Sequence, residues 1–195
     1  MEETKKDLIA DILKREFDMF QNVNTLTRAS CQDNPEGFRI MRGSQFSAWS
    51  EATLASYRED LIRAEETGRN LMTLKYARMD NLIPPLSESP QIAEIAAIQV
   101  AWQQDLAREF PRVLGQGRAI TDESAGPNST SFLRYLAAEL ETYSEKTLSL
   151  LMADIRDFRK RGENMARAIY TAMVRELGYD SLADAEQNAG KKRAV

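Results

Sequence analysis

Apolar residues recur at helical spacing along almost the whole chain, and the breaks between runs carry helix-ending residues. Leu8, Ile9, Ile12, Leu13, Phe17 and Phe20 share one face, the three-and-four spacing of an amphipathic helix. Thr4 with Asp7 three residues on makes a capping box, so the pattern predicts a helix over about Lys5 to Phe20. Asp7, Asp11 and Asp18, with Arg15 among them, fall on the other side and read as a solvated face. After the loop "QNVNTLTRASCQD", Asn34 and Pro35 suit the start of a short helix and Gly43 its end. Ser44 or Ser47 then opens a helix with Phe46, Trp49, Tyr57 and Leu61 on its core side. Its outer face pairs Glu59 with Arg63 and Glu65 with Arg69, and Gly68 stops it. Asn70 caps "LMTLKYARMDNL", which Pro84 and Pro85 end.

Ser89 and Pro90 start a helix reaching about Phe110, with Ile95, Ile98, Trp102 and Leu106 at helical spacing. "PRVLGQGRAITDESAGPNST", a loop at about 111–130, reads as a surface connection inside one domain. Phe132, Leu136, Leu140, Tyr143, Thr147, Leu151, Ile155 and Phe158 step on without a break to Gly162. That predicts one long helix, either the spine of a bundle or an arm reaching a second copy. Met165, Ile169, Ala172, Met173 and Leu177 predict a further helix stopped by Gly178, followed by a short helical turn near Ser181 to Gln187. The basic tail "KKRAV" at 191–195 reads as disordered. No internal repeat is apparent. The expected fold is all-α, a single-domain bundle of about six or seven helices over residues 1–190.

Composition adds exclusions. The chain of 195 residues is 43% hydrophobic and 29% charged, with a net charge of -4, ordinary for a globular protein and without support for a nucleic-acid partner. The start "MEETKKDLIADILKREFDMF" lacks a signal-peptide core, and no apolar run is long enough to span a bilayer. One cysteine makes no internal disulfide, and the expected setting is the cytoplasm. Histidine is absent altogether. That removes Ser-His and Cys-His nucleophile pairs, His-zinc sites and imidazole acid–base work. An enzyme built on this chain would work with carboxylates, Lys, Tyr, Ser or Thr, the thiol, or an oxygen-ligated metal.

The stretch "RASCQDNPEGFRIMRGSQFSAWS" concentrates candidate chemistry. Arg28, Arg39 and Arg42 offer guanidinium forks, and a helix start just downstream offers free N–H groups, the combination an anion requires. Gln32 and Gln45 can read a polar group, and Phe46 and Trp49 supply a flat apolar wall. The competing reading makes the arginines helix-end partners of Asp33, Glu36 or Glu51 and Trp49 core. Cys31 reads as a small hydrophobe or a ligand contact before a nucleophile, since no base stands near it. Lys75 and Arg78, three apart on one side of a helix with Tyr76 elsewhere around it, complete an anion pocket with Arg39 and Arg42 if the helices are antiparallel neighbours; the competing and favoured reading is a solvated charged face. Asp154 and Asp157, with Glu139 and Glu141, are candidate Mg²⁺ carboxylates, but the interleaved Arg and Lys favour ion pairing, and no metal site is expected. "GQGRAIT" resembles a phosphate loop faintly and lacks its lysine pattern.

The segments "MFQNV", "RASCQDNPEGFRIMRGSQFSAWS" and "GRNLMTLKYARMDNLIP" together resemble an uncharacterised bacterial family, a domain of unknown function. The resemblance spans nearly the whole chain, with its distinctive part between Met19 and Pro85. It implies no activity, cofactor or catalytic residue, and a setting sometimes beside nucleotidyltransferase-like proteins, which favours an accessory role. Three functions therefore stand open. One is a binding or accessory module holding a small anionic ligand through Arg28, Cys31, Gln32, Arg39, Arg42, Gln45, Trp49, Lys75, Tyr76 and Arg78. Another is an enzyme using the same pocket through a carboxylate, Tyr76 or Cys31. The third is a structural protein that dimerises on the Phe132–Phe158 helix. The expected partners are a small anion, a partner protein or a second copy, with neither nucleic acid nor membrane.

Overall fold

The computed structural model describes residues 4–23, 30–126 and 129–189, and of Ser30 and Cys31 the backbone alone. The segment holding Arg28 and the basic tail at 191–195 lie outside the described residues. Among the described residues there are ten α-helices and two 3-10 turns, with no strand. The all-α expectation stands, and the helices outnumber those expected because the Phe132–Phe158 run divides in two and a short helix (Pro111–Leu114) stands in the expected loop at 111–130.

Helix α1 (Lys5–Gln21) opens on the Thr4–Asp7 capping box, with Thr4 Oγ1 accepting from Asp7 N and Asp7 accepting from Thr4 N at 2.9 Å. A 3-10 turn (Ser30–Asp33) leads to α2 (Pro35–Ser47), capped by Asn34, whose side chain accepts from Gly37 N at 2.9 Å. Gly43 does not end this helix. It lies inside α2, where a Cβ would meet the Leu13 side chain at an ordinary contact distance of 3.7 Å, and the helix runs on past it to Ser47. Helix α3 (Glu51–Glu66) therefore begins with Ser50 as its cap, not with Ser44 or Ser47. Glu59 pairs with Lys146 across to another helix, and Glu65 with Arg15, in place of the expected pairs along α3. Helix α4 (Leu71–Met79) follows Asn70 as expected.

Helix α5 (Pro90–Glu109) runs into the short α6 (Pro111–Leu114). A connection containing a 3-10 turn (Asp122–Ser124) follows. The expected long helix is two: α7 (Phe132–Leu140) and α8 (Glu145–Lys160). Ser144 breaks it by capping α8, its side chain accepting from Thr147 N at 3.2 Å. The apolar period survives the break because Leu140, Tyr143, Leu148 and Leu151 enter one core from both sides of the turn. An arm reaching a second copy is thereby lost. Helices α9 (Met165–Glu176) and α10 (Leu182–Ala189) complete the chain.

The order conceals a duplication, which corrects the expectation of no repeat. One constant spacing separates Ser50 from Ser144, Thr53 from Thr147, Asp60 from Asp154, Gly68 from Gly162, and Asn70 from Asn164. Each pair has the same structural role. Ser50 and Ser144 cap α3 and α8, Gly68 and Gly162 take φ of 68° and 67°, and Asn70 and Asn164 cap α4 and α9. The Asn70 amide donates to Met19 O at 2.8 Å, and the Asn164 amide to Trp102 O at 3.2 Å. Helices α1 and α5 thus correspond, aligning "IADI" at Ile9–Ile12 with "IAEI" at Ile92–Ile95. Helix α1 packs on α2, α3 and α4, as α5 packs on α7, α8 and α9. Across the halves α3 meets α8, α2 meets α9, and α4 meets α7. Exchanging the halves maps the α3–α8 pair onto itself and every other of these pairs onto another, as an approximate two-fold axis between α3 and α8 requires.

The halves are joined by reciprocal caps. Asp60 of α3 accepts from Ser144 N at 3.0 Å and from the Thr147 hydroxyl at 2.6 Å. Asp154 of α8 accepts from Ser50 N at 2.9 Å and from the Thr53 hydroxyl at 2.7 Å. Each carboxylate thus satisfies the positive first turn of the other's helix. Helices α6 and α10 are additions to the second half, where Leu106, Phe110, Leu114, Ala166, Val174, Leu182 and Ala185 form a smaller core. The Glu186 carboxylate accepts from Val113 N at 2.9 Å and holds α6 against α10.

Asp60→Asn and Asp154→Asn should each lower stability by about 1.5–3 kcal/mol, the range for hydrogen bonds to a charged group. The two losses should add, because the caps lie at opposite ends of the α3–α8 pair. Urea unfolding measures both, with exposed Asp157→Asn as the control expected to stay within about 0.5 kcal/mol of the parent.

Candidate functional site

The centre of the first half holds charges where a core would ordinarily be apolar. Glu16 sits on the inner face of α1, one turn beyond Ile12, and is 0% exposed. Arg42 comes from α2, and its guanidinium grips Glu16 with two donors, Nε to Oε2 at 2.8 Å and Nη2 to Oε1 at 2.5 Å. Its Nη1 donates to Gln45 Oε1 at 2.7 Å and to Glu139 Oε1 at 2.9 Å. Glu139 belongs to α7, so this contact crosses from one half to the other. Lys75 of α4 donates to Glu139 Oε2 and to the Tyr135 hydroxyl, both at 2.5 Å. Tyr57 closes Glu16 and Tyr143 closes Glu139, each hydroxyl donating at 2.6 Å. The Gln45 amide adds a weaker bond to Glu139 at 3.3 Å.

Two carboxylates and two cations make this set neutral, which burial demands. Burial alone would push the Glu139 carboxyl up, but Arg42 and Lys75 beside it hold it well below the usual carboxylate range. Burial likewise works against the Lys75 ammonium, and the Glu139 charge overcomes it and raises Lys75 above its ordinary value. Arg42 is raised for the same reason, by Glu139 and Glu16 against its burial. Burial first, and then the carboxylates they face, push the Tyr57 and Tyr143 hydroxyls well up, so both stay donors. The set is walled by Phe46, Trp49, Tyr57 and Tyr143, whose rings pack 4.8 to 6.0 Å apart. Its only part-exposed members are Gln45 and Tyr135.

The residues singled out in the sequence separate here. Arg42, Gln45 and Lys75 converge on one centre. Trp49, 2% exposed, belongs to its aromatic wall. Arg39 lies outside, on the surface between Glu36 and Glu176 at 2.8 and 2.9 Å. Arg78 binds Glu141 at 2.7 Å and leaves the centre to Lys75. Tyr76 packs its half-buried ring on Phe20. Gln32 is buried, and its amide donates to Phe20 O and Val23 O at 2.9 and 3.2 Å, tying the 3-10 turn to the end of α1. Arg28 and the Cys31 side chain lie outside the described residues.

Glu16, Tyr57, Tyr135, Glu139 and Tyr143 are the members that sequence reasoning did not place in the site. Glu16 and Glu139 carried a legible signal, since each interrupts an apolar face at helical spacing. Asp154 of the acid group considered for Mg²⁺ caps α3, and Asp157 faces Lys160 at 3.1 Å. Among the described residues no three His, Cys, Asp or Glu side chains are placed to hold a metal ion, and no helix is long and apolar enough to cross a membrane.

The second half does not repeat the charges. At the positions equivalent to Glu16, Arg42 and Lys75 it carries Gln99, Leu136 and Ile169, and the position equivalent to Glu139 is Gln45. Gln99 is buried with its amide 3.4 Å from the Met165 sulfur, and Leu136 and Ile169 pack into the main core.

Glu139→Gln should lower stability by about 3–5 kcal/mol at neutral pH, because it leaves two buried cations with one charge to face. Glu139 titrates lower in the folded chain than unfolded, so its contribution is fully present above its ordinary value of 4.5 and fades as the pH falls below that. The difference between parent and variant, from urea unfolding at several pH values, should shrink in that acid window. Lys75 titrates higher when folded, so its contribution is fully present below its ordinary value of 10.5 and is lost above it.

No curated protein and no solved structure matches the chain at a significant level. The profile of one family, described as a protein of unknown function, DUF4125, matches residues 6–187, α1 through α10 almost entirely, and the chain belongs to that family.

Proposed function

We propose that the chain is a binding or accessory module for a small anionic ligand, with the Arg42–Lys75 centre as its recognition site. The observation that carries this reading is the asymmetry between the halves. The positions Glu16, Arg42, Lys75 and Glu139 carry charges, and the equivalent positions of the repeated frame carry the neutral Gln99, Leu136, Ile169 and Gln45. Buried ion networks are often replaceable by apolar side chains at no loss of stability, so stability alone does not account for four charges. Residues that break the local rule of an apolar core concentrate at functional sites.

The chemistry favours an anion. Arg42, Lys75, Tyr143 and Gln45 all donate to the Glu139 carboxylate. A small carboxylate or phosphate presents the same acceptors to the same donors once Glu139 swings away. Binding is favoured over turnover because the acid and base groups of the centre neutralise one another and the chain has no histidine.

The molecule supplies its own control. The variant Glu16→Gln, Arg42→Leu, Lys75→Ile, Glu139→Gln gives the centre the neutral residues of the equivalent positions. Its melting temperature should equal or exceed the parent's. Inorganic phosphate should raise the parent's melting temperature and leave the variant's unmoved; a site held at about 100 times its dissociation constant contributes about 2.7 kcal/mol. A variant that unfolds, or a parent indifferent to both phosphate and acetate, sinks the reading.

A further inference from the structure

We infer that Arg118, standing at the outer edge of the recognition centre, selects a phosphate group; this rests on the reading of the centre as an anion site. Tyr135 is the part-exposed member that lies between the buried Lys75 and the exposed Arg118. The Lys75 ammonium lies 3.8 Å from the centre of the Tyr135 ring, and the Arg118 guanidinium lies over the same ring at 5.0 Å. One aromatic face-pair therefore serves two cations, a buried one and an exposed one. The Tyr135 hydroxyl accepts from Lys75, and among the described residues no group accepts its own hydrogen.

Arg118 is held there by its backbone and not by a carboxylate. Ala119 O accepts from Phe132 N at 2.7 Å and Ile120 O from Leu133 N at 3.1 Å, which pins the loop to the first turn of α7. Asp122 ties the loop's far side to Ser131 at 2.6 Å and to Arg134 at 3.3 Å. The Arg118 side chain itself makes a long bond to Thr130 O at 3.4 Å, and no carboxylate among the described residues lies within ion-pair reach of it. Its remaining donors face solvent beside Tyr135. Counting Arg42, Lys75 and Arg118 against Glu16 and Glu139 leaves an unbalanced positive charge beside Tyr135.

An exposed guanidinium fork, a free phenolic hydrogen and an ammonium behind them suit a tetrahedral dianion better than a single carboxylate. The loop is the same "GQGRAIT" that resembles a phosphate loop only faintly in sequence. Its role does not follow from that pattern, because the recognising groups are an arginine and a tyrosine from the next helix.

The test measures inorganic phosphate binding to the full chain by calorimetry, with acetate as the second ligand. Arg118→Ala should weaken phosphate binding by roughly tenfold or more, the effect of losing one charge-assisted contact, and leave the melting temperature of the free protein unchanged. Arg118→Lys should recover part of the loss. Phosphate binding at parental strength in Arg118→Ala overturns the inference, and if the four-substitution variant has then lost binding, the recognition centre itself still stands. A drop in the melting temperature of free Arg118→Ala makes the residue structural and overturns it too. Acetate binding as tight as phosphate removes the selection for a phosphate group.

Discussion

Two aspartates, each capping the helix of the other, fix α3 against α8, and the remaining helices are placed by that pair. A carboxylate at a helix start satisfies orphan N–H groups and opposes the macrodipole, so each cap favours one axial position of its partner. Asp60 and Asp154 impose this at both ends, which sets the antiparallel register as well as the contact. With α3 and α8 registered, α2 comes to lie on α9 and α4 on α7. Each half thereby lends two helices to the other, and neither half closes its own core.

That interleaving explains how a single carboxylate from the second half comes to sit inside the first. Glu139 enters between α2 and α4 because α7 packs there, and it meets Arg42 and Lys75 at the one place where both can reach it. The equivalent position on α2 is Gln45, whose side chain turns to Arg42 and Glu139, while Leu136 and Ile169 pack into the apolar core. One architecture thus carries charges at one set of positions and neutral side chains at the equivalent set. The contrast separates what the frame needs from what the first half adds to it, a distinction that a molecule without internal duplication does not offer.

Several elements were legible because their signals are local. Thr4 with Asp7, Asn34 with Pro35, Asn70 and Gly68 mark helix ends through contacts within a turn, and each acts where sequence reasoning put it. Gly43 and the Phe132–Phe158 run misled for the opposite reason. Gly43 lies in an unbroken α2 whose inward face is held against other helices, and the Phe132–Phe158 run stays periodic across a break because both of its helices face one core. In the candidate site, Arg42, Gln45 and Lys75 were legible as polar groups beside aromatics, while Arg39 has the same composition and spacing but points outward. Glu16 and Glu139 drew no attention as a pair, since nothing in a linear pattern brings α1 and α7 to one guanidinium.

The sequence by itself determined an all-helical chain, the positions of most caps, and a chemistry without histidine or disulfide. These follow from residue type and from spacings of three and four. Only the tertiary structure decided which charges are buried, how the two halves interleave, and where Arg118 lies. Those depend on contacts between residues far apart in the chain, and a periodicity that specifies which face of a helix turns inward does not specify what it will meet there.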